Sequence, residues 1–388
     1  MHLVISKFKR LTAALAASLI LLAGCAGNNA PVSSADASSE PPVQEEVQGN
    51  NQSAGSEEQP QQSTTNGSTL SVTFIDVGQG DSSLLECDGH YMLIDGGENT
   101  ASNVEYTVLK NRGIDTLDYM VMTHAHSDHI GGLPGALNYA KVKVALSPVT
   151  SYDSKTFSNV VKYLDQQGTS ITVPSVGDTY SLGEASVTVL GPTKDYDETN
   201  DTSIVLKVQF GSTSFLFTGD QEADAEKDLI ASGADLKADV LKVGHHGSST
   251  STSYQFLREV APKYAVISCG TDNQYGHPHS ETLSKLRDAD CTVYRTDLQG
   301  DITCVSDGTT LTWTTAKRAS DAEVNPTTAD GSGQNSTDTT GTYIGNINSQ
   351  VFHKPTCNSL PAEQNQIQFS SREEAVSAGY TPCGRCKP

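Results

Sequence analysis

The sequence predicts a mixed α/β (α+β) domain built in layers, followed by a smaller C-terminal unit. Two observations predict it. From Leu70 onward, short β-like runs alternate with segments of helical period. Beyond a polar stretch, a compact group of Cys and His closes the chain.

Residues 70–75, 82–87 and 91–94 read as consecutive strands with turns between them. Residues 101–111 read as a helix that ends near Gly113. Residues 119–122 form a brief apolar strand that runs straight into Thr123-His124-Ala125-His126-Ser127-Asp128-His129. Further strands are expected at 186–190, 203–210, 214–218, 240–243, 265–268 and 292–295, and further helices at 157–167, 221–231, 253–260 and 280–288.

The ends of the chain set its context. Residues 1–25 read as an export signal, with Lys7, Lys9 and Arg10 ahead of an apolar run too short for a comfortable membrane span. The run closes on Leu22-Ala23-Gly24-Cys25, which resembles a bacterial lipobox. That resemblance implies a lipid on Cys25 that anchors the chain to the outer face of a cell membrane without spanning it. Residues 26–69 are rich in Ser, Gln, Asn, Glu, Pro and Gly, and are expected to be a disordered tether. The main domain is expected over 70–315, a linker over 316–341, and the small domain over 342–388.

The net charge is −21 with His neutral, and most of it falls within the main domain. A strongly acidic body gains little from attraction to a polyanion. This weighs against tight nucleic-acid binding by charge alone, though a metal-loaded cleft can be locally positive. Of the eight Cys, Cys87, Cys269, Cys291 and Cys304 lie singly in apolar runs and read as buried thiols; export would also permit disulfides among them.

The string HxHxDH carries the most chemistry. Three imidazoles and one carboxylate, His124, His126, Asp128 and His129, follow directly on an apolar strand. Neutral imidazole and carboxylate suit zinc and other borderline divalent ions. Asp128 serves either as a ligand or as the group that orients a bound water.

With Gly131-Gly132 after it, this string resembles the signature of the metallo-β-lactamase fold superfamily, which implies a four-layer αββα sandwich. The stretch from about 70 to 314 resembles, more closely, the hydrolase domain of the ComEC family of DNA-uptake channel proteins. The matching strings are Phe74-Ile75-Asp76-Val77-Gly78-Gln79-Gly80-Asp81-Ser82, Leu93-Ile94-Asp95-Gly96-Gly97 and residues 200–206. Phe217-Thr218-Gly219-Asp220, Leu241-Lys242-Val243-Gly244-His245-His246-Gly247-Ser248 and Tyr275-Gly276-His277-Pro278-His279 continue the match. The sequence has no polytopic membrane segment, so a stand-alone domain is expected rather than a channel.

The resemblance implies that His124 and His126 hold a first metal and Asp128 and His129 a second. It further implies that Asp220 bridges the two and that His245 completes the second pocket. The expected cofactor is one or two zinc ions. The superfamily pattern has a further His before the bridging Asp, and residues 130–244 contain none. Asn200 or water is expected to fill that place, and so oxygen-rich a pocket also suits manganese.

Other residues carry weaker signals. His246 reads as a ligand or a group beside one. Ser248 and Ser249 are candidate donors to a phosphate-like oxyanion. His277 and His279 are candidates to contact substrate or protonate a leaving group. Asp81 sits in a Gly-rich turn and is placed near substrate. Lys242 reads as a strand-edge residue in solvent.

In the C-terminal unit, Cys383-Gly384-Arg385-Cys386 is a CxxC, and His353 and Cys357 lie upstream at a spacing of four. A tetrahedral Cys₃His zinc site follows, whose metal supplies much of the folding free energy of so short a segment. Residues 352–388 resemble the metal-binding domain of the Ada DNA-repair family, whose first Cys accepts a methyl group. His353 stands at that position, so a structural or DNA-docking zinc unit without alkyl transfer is expected.

Together these readings favour a surface-anchored hydrolase that acts on phosphodiesters, with extracellular DNA as substrate. The rivals are another hydrolase of the same fold (lactonase, thioesterase or small phosphoesterase) and a non-catalytic, metal-stabilised surface module.

Overall fold

The first three strands are short apolar runs joined by tight Gly-containing turns, and they pair as an antiparallel meander: β1 (Leu70–Phe74), β2 (Ser83–Cys87) and β3 (His90–Ile94). The computed structural model that shows this describes residues 67–326 and 342–388, apart from 358, 384 and 387. The expected export signal with Cys25, nearly all of the expected tether, and the expected linker beyond 326 lie outside the described residues.

After β3 the pairing turns parallel. β4 (Thr116–Val121), β5 (Lys141–Leu146) and β6 (Ile171–Thr172) follow, each reached through a crossover helix. Those helices are Ser102–Arg112, Leu133–Tyr139 and Lys155–Gln167.

The second sheet repeats the plan. β7 (Thr179–Leu182), β8 (Ala185–Gly191), β9 (Val205–Phe210) and β10 (Thr213–Phe217) form a meander. β11 (Val240–Lys242), β12 (Tyr264–Ile267) and β13 (Thr292–Arg295) then add in parallel, with crossover helices Ala223–Ala231, Tyr254–Val260 and Ser280–Asp288. Finally β14 (Ile302–Ser306) returns to pair with β1, and β15 (Leu311–Thr315) closes that edge of the eight-stranded first sheet.

Three separate apolar clusters reveal the layers. Leu85, Phe74, Phe215 and Phe217 fill the space between the sheets. Leu84, Leu93 and Met120 point the other way and meet Leu109, Leu137 and Phe157 of the first helix layer. Leu216, Leu241 and Ala265 meet Leu229, Phe256 and Leu286 of the second. Neighbours such as Leu84 and Leu85 serve different clusters because successive strand residues face opposite sides. The four-layer αββα sandwich is therefore the observed fold.

Two departures from the sequence reading have physical causes. The sequence reading proposed no helix at Leu133–Tyr139, a segment that carries Pro134 and Gly135. Pro134 lies in the first turn, where its missing N–H costs nothing. Gly135 lies against the helix Ser102–Arg112, and a Cβ there would stand 1.8 Å from the Ser102 carbonyl oxygen. The second departure lies after 315. Ser320 and Glu323 form a capping box over the short helix Asp321–Val324, Val324 is buried in the third cluster, and Arg287 donates to Asn325 and the Pro326 carbonyl. The main domain thus runs to 326, and the polar stretch from 316 is not all linker.

The C-terminal unit is a four-stranded sheet, β18-β16-β17-β19, made of β16 (Tyr343–Asn346), β17 (Val351–His353), β18 (Gln366–Phe369) and β19 (Thr381–Pro382). Its apolar core is only Phe352, Phe369 and Ala375, too little to hold a fold without a staple. It rests on the main domain. The Asn346 amide donates to the buried Asp288 carboxylate, which also accepts from the Tyr254 hydroxyl at 2.6 Å. Arg258 donates to the Asn348 carbonyl, and Arg385 pairs with Asp290. Among the described residues, no helix is long and apolar enough to cross a membrane.

Candidate metal centre

Parallel strands end at one edge of the sandwich, and the loops that leave them carry the polar residues. β4 delivers the His124–His129 loop, β10 delivers Asp220, β11 delivers His245 and His246, and the loop after β12 delivers His277. Asp81 and Asp95 come from the turns after β1 and β3. They line or underlie a cleft of about 330 Å³ bordered by Gln79, His126, Asp128, Asn200, Asp220, His245, His246, Tyr275 and His277.

The best-defined group lies beneath the cleft. Nε2 of His129 is 3.1 Å from Oδ2 of Asp220, and Nε2 of His246 is 3.3 Å from Oδ2 of both Asp220 and Asp128. Each imidazole is held from behind by a carboxylate. Asp95 lies 2.8 Å from Nδ1 of His129, and Asp81 lies 2.9 Å from Nδ1 of His246. Asp95 is itself fixed by the backbone and hydroxyl of Thr123. Asp81 is fixed by Lys242, whose Nζ donates to it at 2.8 Å. Lys242 is 2 % exposed, so it is not the solvated strand-edge residue expected from sequence. A Lys in an otherwise apolar strand is readable only once its buried carboxylate partner is known.

His245 and His246 also change places relative to expectation. Both adopt left-handed backbone, with φ of 50° and 54°. Two consecutive non-glycine residues in that region store strain. The tight turn sends the rings apart: His246 is buried, while His245 reaches the cleft wall, where Glu222 and Thr250 hold its Nδ1 at 3.2 and 3.1 Å. Nε2 of His245 stays 3.8 Å from Asp220. The structure therefore brings His246, and not His245, together with His129 and Asp220.

The first pocket is looser. His124 Nε2 lies 3.0 Å from His126 Nδ1 and 4.0 Å from Asp220. Asn200 lines the cleft beside them, its amide donating to Glu222 while its carbonyl oxygen, though buried, has no hydrogen-bond partner. Ser248, Ser249 and His279 are engaged elsewhere. Ser248 bonds Thr250, and His279 takes the Ser249 N–H and approaches the Tyr275 carbonyl, so none of the three borders the cleft. Asp81 likewise faces His246 and Lys242 instead of substrate.

The electrostatics agree with a cation site. Burial alone would lower the pKa of His129 and His246, but Asp220 with Asp95 and Asp220 with Asp81 outweigh it and raise both well above the ordinary value. Burial would raise Asp220, but His129 and His246 hold it well below the usual carboxylate range. Asp81 is held down at about 2, where Lys242 and His246 overcome its burial. Burial and the charge on His129 lower His124. The carboxylates thus favour positive charge at His129 and His246, while His124 is kept neutral.

The donors fit a divalent metal. Donor atoms of His129, Asp220 and His246 lie within 4.8 Å of one another, together with one of Asp81, whose carboxylate is already paired with Lys242. Nε2 of His129, Nε2 of His246 and Oδ1 of Asp220 are buried with no hydrogen-bond partner, the state of ligand atoms that await an ion. In the C-terminal unit His353, Cys357, Cys383 and Cys386 converge in the same way, with both ring nitrogens of His353 buried and unpartnered. The backbone N–H groups of Lys354 and Ser359 donate to Cys386 and Cys357. Cys87, Cys269, Cys291 and Cys304 are free and buried.

A four-layer sandwich with a His/Asp metal centre at its edge defines a class of metal-binding folds. The chain belongs to the metallo-beta-lactamase superfamily, whose model matches residues 75–271. Within it the chain is ComEC-like. It is 34% identical over 250 residues to ComE operon protein 3 of Bacillus subtilis, covering 60% of this chain and 32% of that one. It is 31% identical over 234 residues to Competence protein ComA of Neisseria gonorrhoeae, covering 59% and 31%. A shorter match, 32% identical over 103 residues, links it to Ribonuclease Z of Alkaliphilus oremlandii and covers 24% and 32%. The chain spans about a third of the length of these relatives. Residues 334–388 match the metal binding domain of Ada.

Of the residues singled out in the sequence, the structure brings Asp128, His129, Asp220 and His246 together beneath the cleft. Sequence reasoning gave no role to Asp95, Glu222, Gln79 or Tyr275. The signal for Asp95 was present, an acid at the end of an apolar strand before Gly-Gly. Glu222 carries no comparable signal, because its partners His245 and Thr250 are distant in sequence.

Proposed function

We propose that the chain is a metal-dependent phosphodiesterase, with DNA as its substrate, held at the outer face of a membrane by a lipid on Cys25. The observation that carries this reading is the convergence of Asp128, His129, Asp220 and His246 beneath an open cleft. The names of the relatives, two competence-related proteins and a ribonuclease, point its chemistry toward nucleic acid.

His129, His246, Asp128 and Asp220 would hold a divalent ion, which would supply an acidified water and positive charge beside a phosphodiester. The protein's own residues set the geometry. Asp95 at His129, and the Ser268 carbonyl with Asp81 beside it at His246, fix which nitrogen of each ring faces the pocket. Asp220 stands between the two halves of the donor set. His277 borders the cleft, and burial beside His246 and His245 pushes its pKa down to about 4. It is then neutral at pH 7 and serves the leaving side by hydrogen bonding, not as a stored proton. The C-terminal Cys₃His cluster holds a structural zinc.

The test is a substrate panel. The full-length chain is supplied with zinc or manganese and given single- and double-stranded DNA, a chromogenic phosphodiester and a lactone. Phosphodiester cleavage that Asp128→Ala and Asp220→Ala abolish supports the reading. Turnover of the lactone alone assigns another hydrolase of this fold, and turnover of nothing assigns a binding module.

A further inference from the structure

Among the Phe, Tyr and Trp rings of the described residues, only Tyr275 at 51% and Tyr152 at 36% are exposed. Of the two, Tyr275 borders the metal cleft. Tyr275 lines it directly, and its ring lies nearly parallel to that of His277, with centroids 5.6 Å apart and planes 22° apart. The Tyr152 hydroxyl is 3.2 Å from the hydroxyl of Thr199, which precedes the cleft residue Asn200.

The loop that presents Tyr275 is preorganised. The Asn273 side chain donates to the Gly270 and His277 carbonyls at 2.9 and 2.6 Å and accepts from the backbone N–H groups of Tyr275 and His277. A fixed ring left in water beside a reaction site is an unspent binding surface. No Lys or Arg lines this cleft. Attraction to phosphates, the usual source of nucleic-acid affinity, is therefore weak here. Flat rings supply the alternative, since every unpaired base offers a face for stacking.

We propose that Tyr275 is a base-stacking residue, which makes the cleft selective for unpaired nucleotides over intact duplex. This rests on the phosphodiester reading and names the substrate form that reading leaves open.

The test measures binding of a fluorescein-labelled single-stranded 12-mer of thymidine with hydrolysis-resistant phosphorothioate linkages to the metal-loaded full-length chain. A 12-mer of the same backbone without bases is the comparison. Tyr275→Ala is expected to weaken binding of the base-bearing strand about tenfold, as loss of one stacked base would. The abasic strand should be unaffected, and Tyr275→Phe should bind like wild type. Equal loss on both strands, or no loss on either, overturns the proposal. So does competition by a neutral oligosaccharide that the same variant abolishes, which would assign the ring to sugar. If wild type cleaves no phosphodiester, the functional reading fails, while this titration still decides whether bases stack.

Discussion

Lys242 donates to Asp81 at 2.8 Å in a pocket where both side chains are almost fully buried. The lysine keeps Asp81 charged, and Asp81 in turn faces the ring nitrogen of His246 that points away from the cleft. The pair therefore links the strand β11 to the metal centre.

Removing one partner leaves the other charge buried and uncompensated. Lys242→Met should lower the unfolding free energy by about 3–5 kcal/mol, read by urea denaturation. Lys242→Met with Asp81→Asn should recover part of that loss. A double variant less stable than the single one would contradict the pairing.

His246 and His245 should differ in metal binding. His246→Ala removes a buried donor that faces His129, Asp128 and Asp220, and should weaken the affinity of the hydrolase centre by more than about a hundredfold in calorimetric titration. His245→Ala removes a wall residue and should cost no more than the 10–100-fold typical of groups that support a ligand. The reverse order would restore the assignment expected from sequence.

Ten of the fifteen strands among the described residues of the main domain were legible, because apolar runs such as residues 70–75 and 214–218 are buried on both faces and leave little ambiguity; β5, β6, β7, β14 and β15, several of them short or polar, were not read. The HxHxDH loop was legible because ligand chemistry tolerates few residue types. What stayed hidden depends on contacts between distant segments. The helix Leu133–Tyr139 is stabilised by packing against Ser102–Arg112, which local propensity does not report. The choice between His245 and His246 turns on two left-handed residues in a row, a conformation for which the sequence of two histidines gives no sign. Lys242 could be placed only by finding its partner 161 residues away.

Glu105 supplies a pH dependence away from the metal. It is fully buried, accepts a hydrogen bond from Ser82 at 2.7 Å, and burial raises its pKa from 4.5 to about 8. A raised carboxyl pKa means that the folded state binds the proton more tightly than the unfolded chain. Its stabilising contribution is complete below pH 4.5 and is lost as the pH rises toward 8, at about 1.4 kcal/mol for each pH unit. Glu105→Gln should remove this dependence. Its stability relative to wild type should increase between pH 5 and pH 8, measured by urea midpoints; an unchanged difference would contradict a neutral Glu105.

The C-terminal unit should depend on its metal. Cys383→Ser should lose about one equivalent of zinc per chain by elemental analysis and expose residues 342–388 to proteolysis. Retention of that zinc would contradict the Cys₃His assignment.

The most direct test of the central claim is the initial rate of hydrolysis of a chromogenic phosphodiester by the metal-loaded chain and its Asp220→Ala variant. Asp220 faces His129 and His246 and approaches His124 and His245, so it is the carboxylate that the whole centre shares. The account predicts metal-dependent turnover by wild type and a loss of at least about a thousandfold in the variant, the scale of one essential group that stabilises the transition state. Equal rates for the two proteins, or turnover unaffected by chelation, would contradict it.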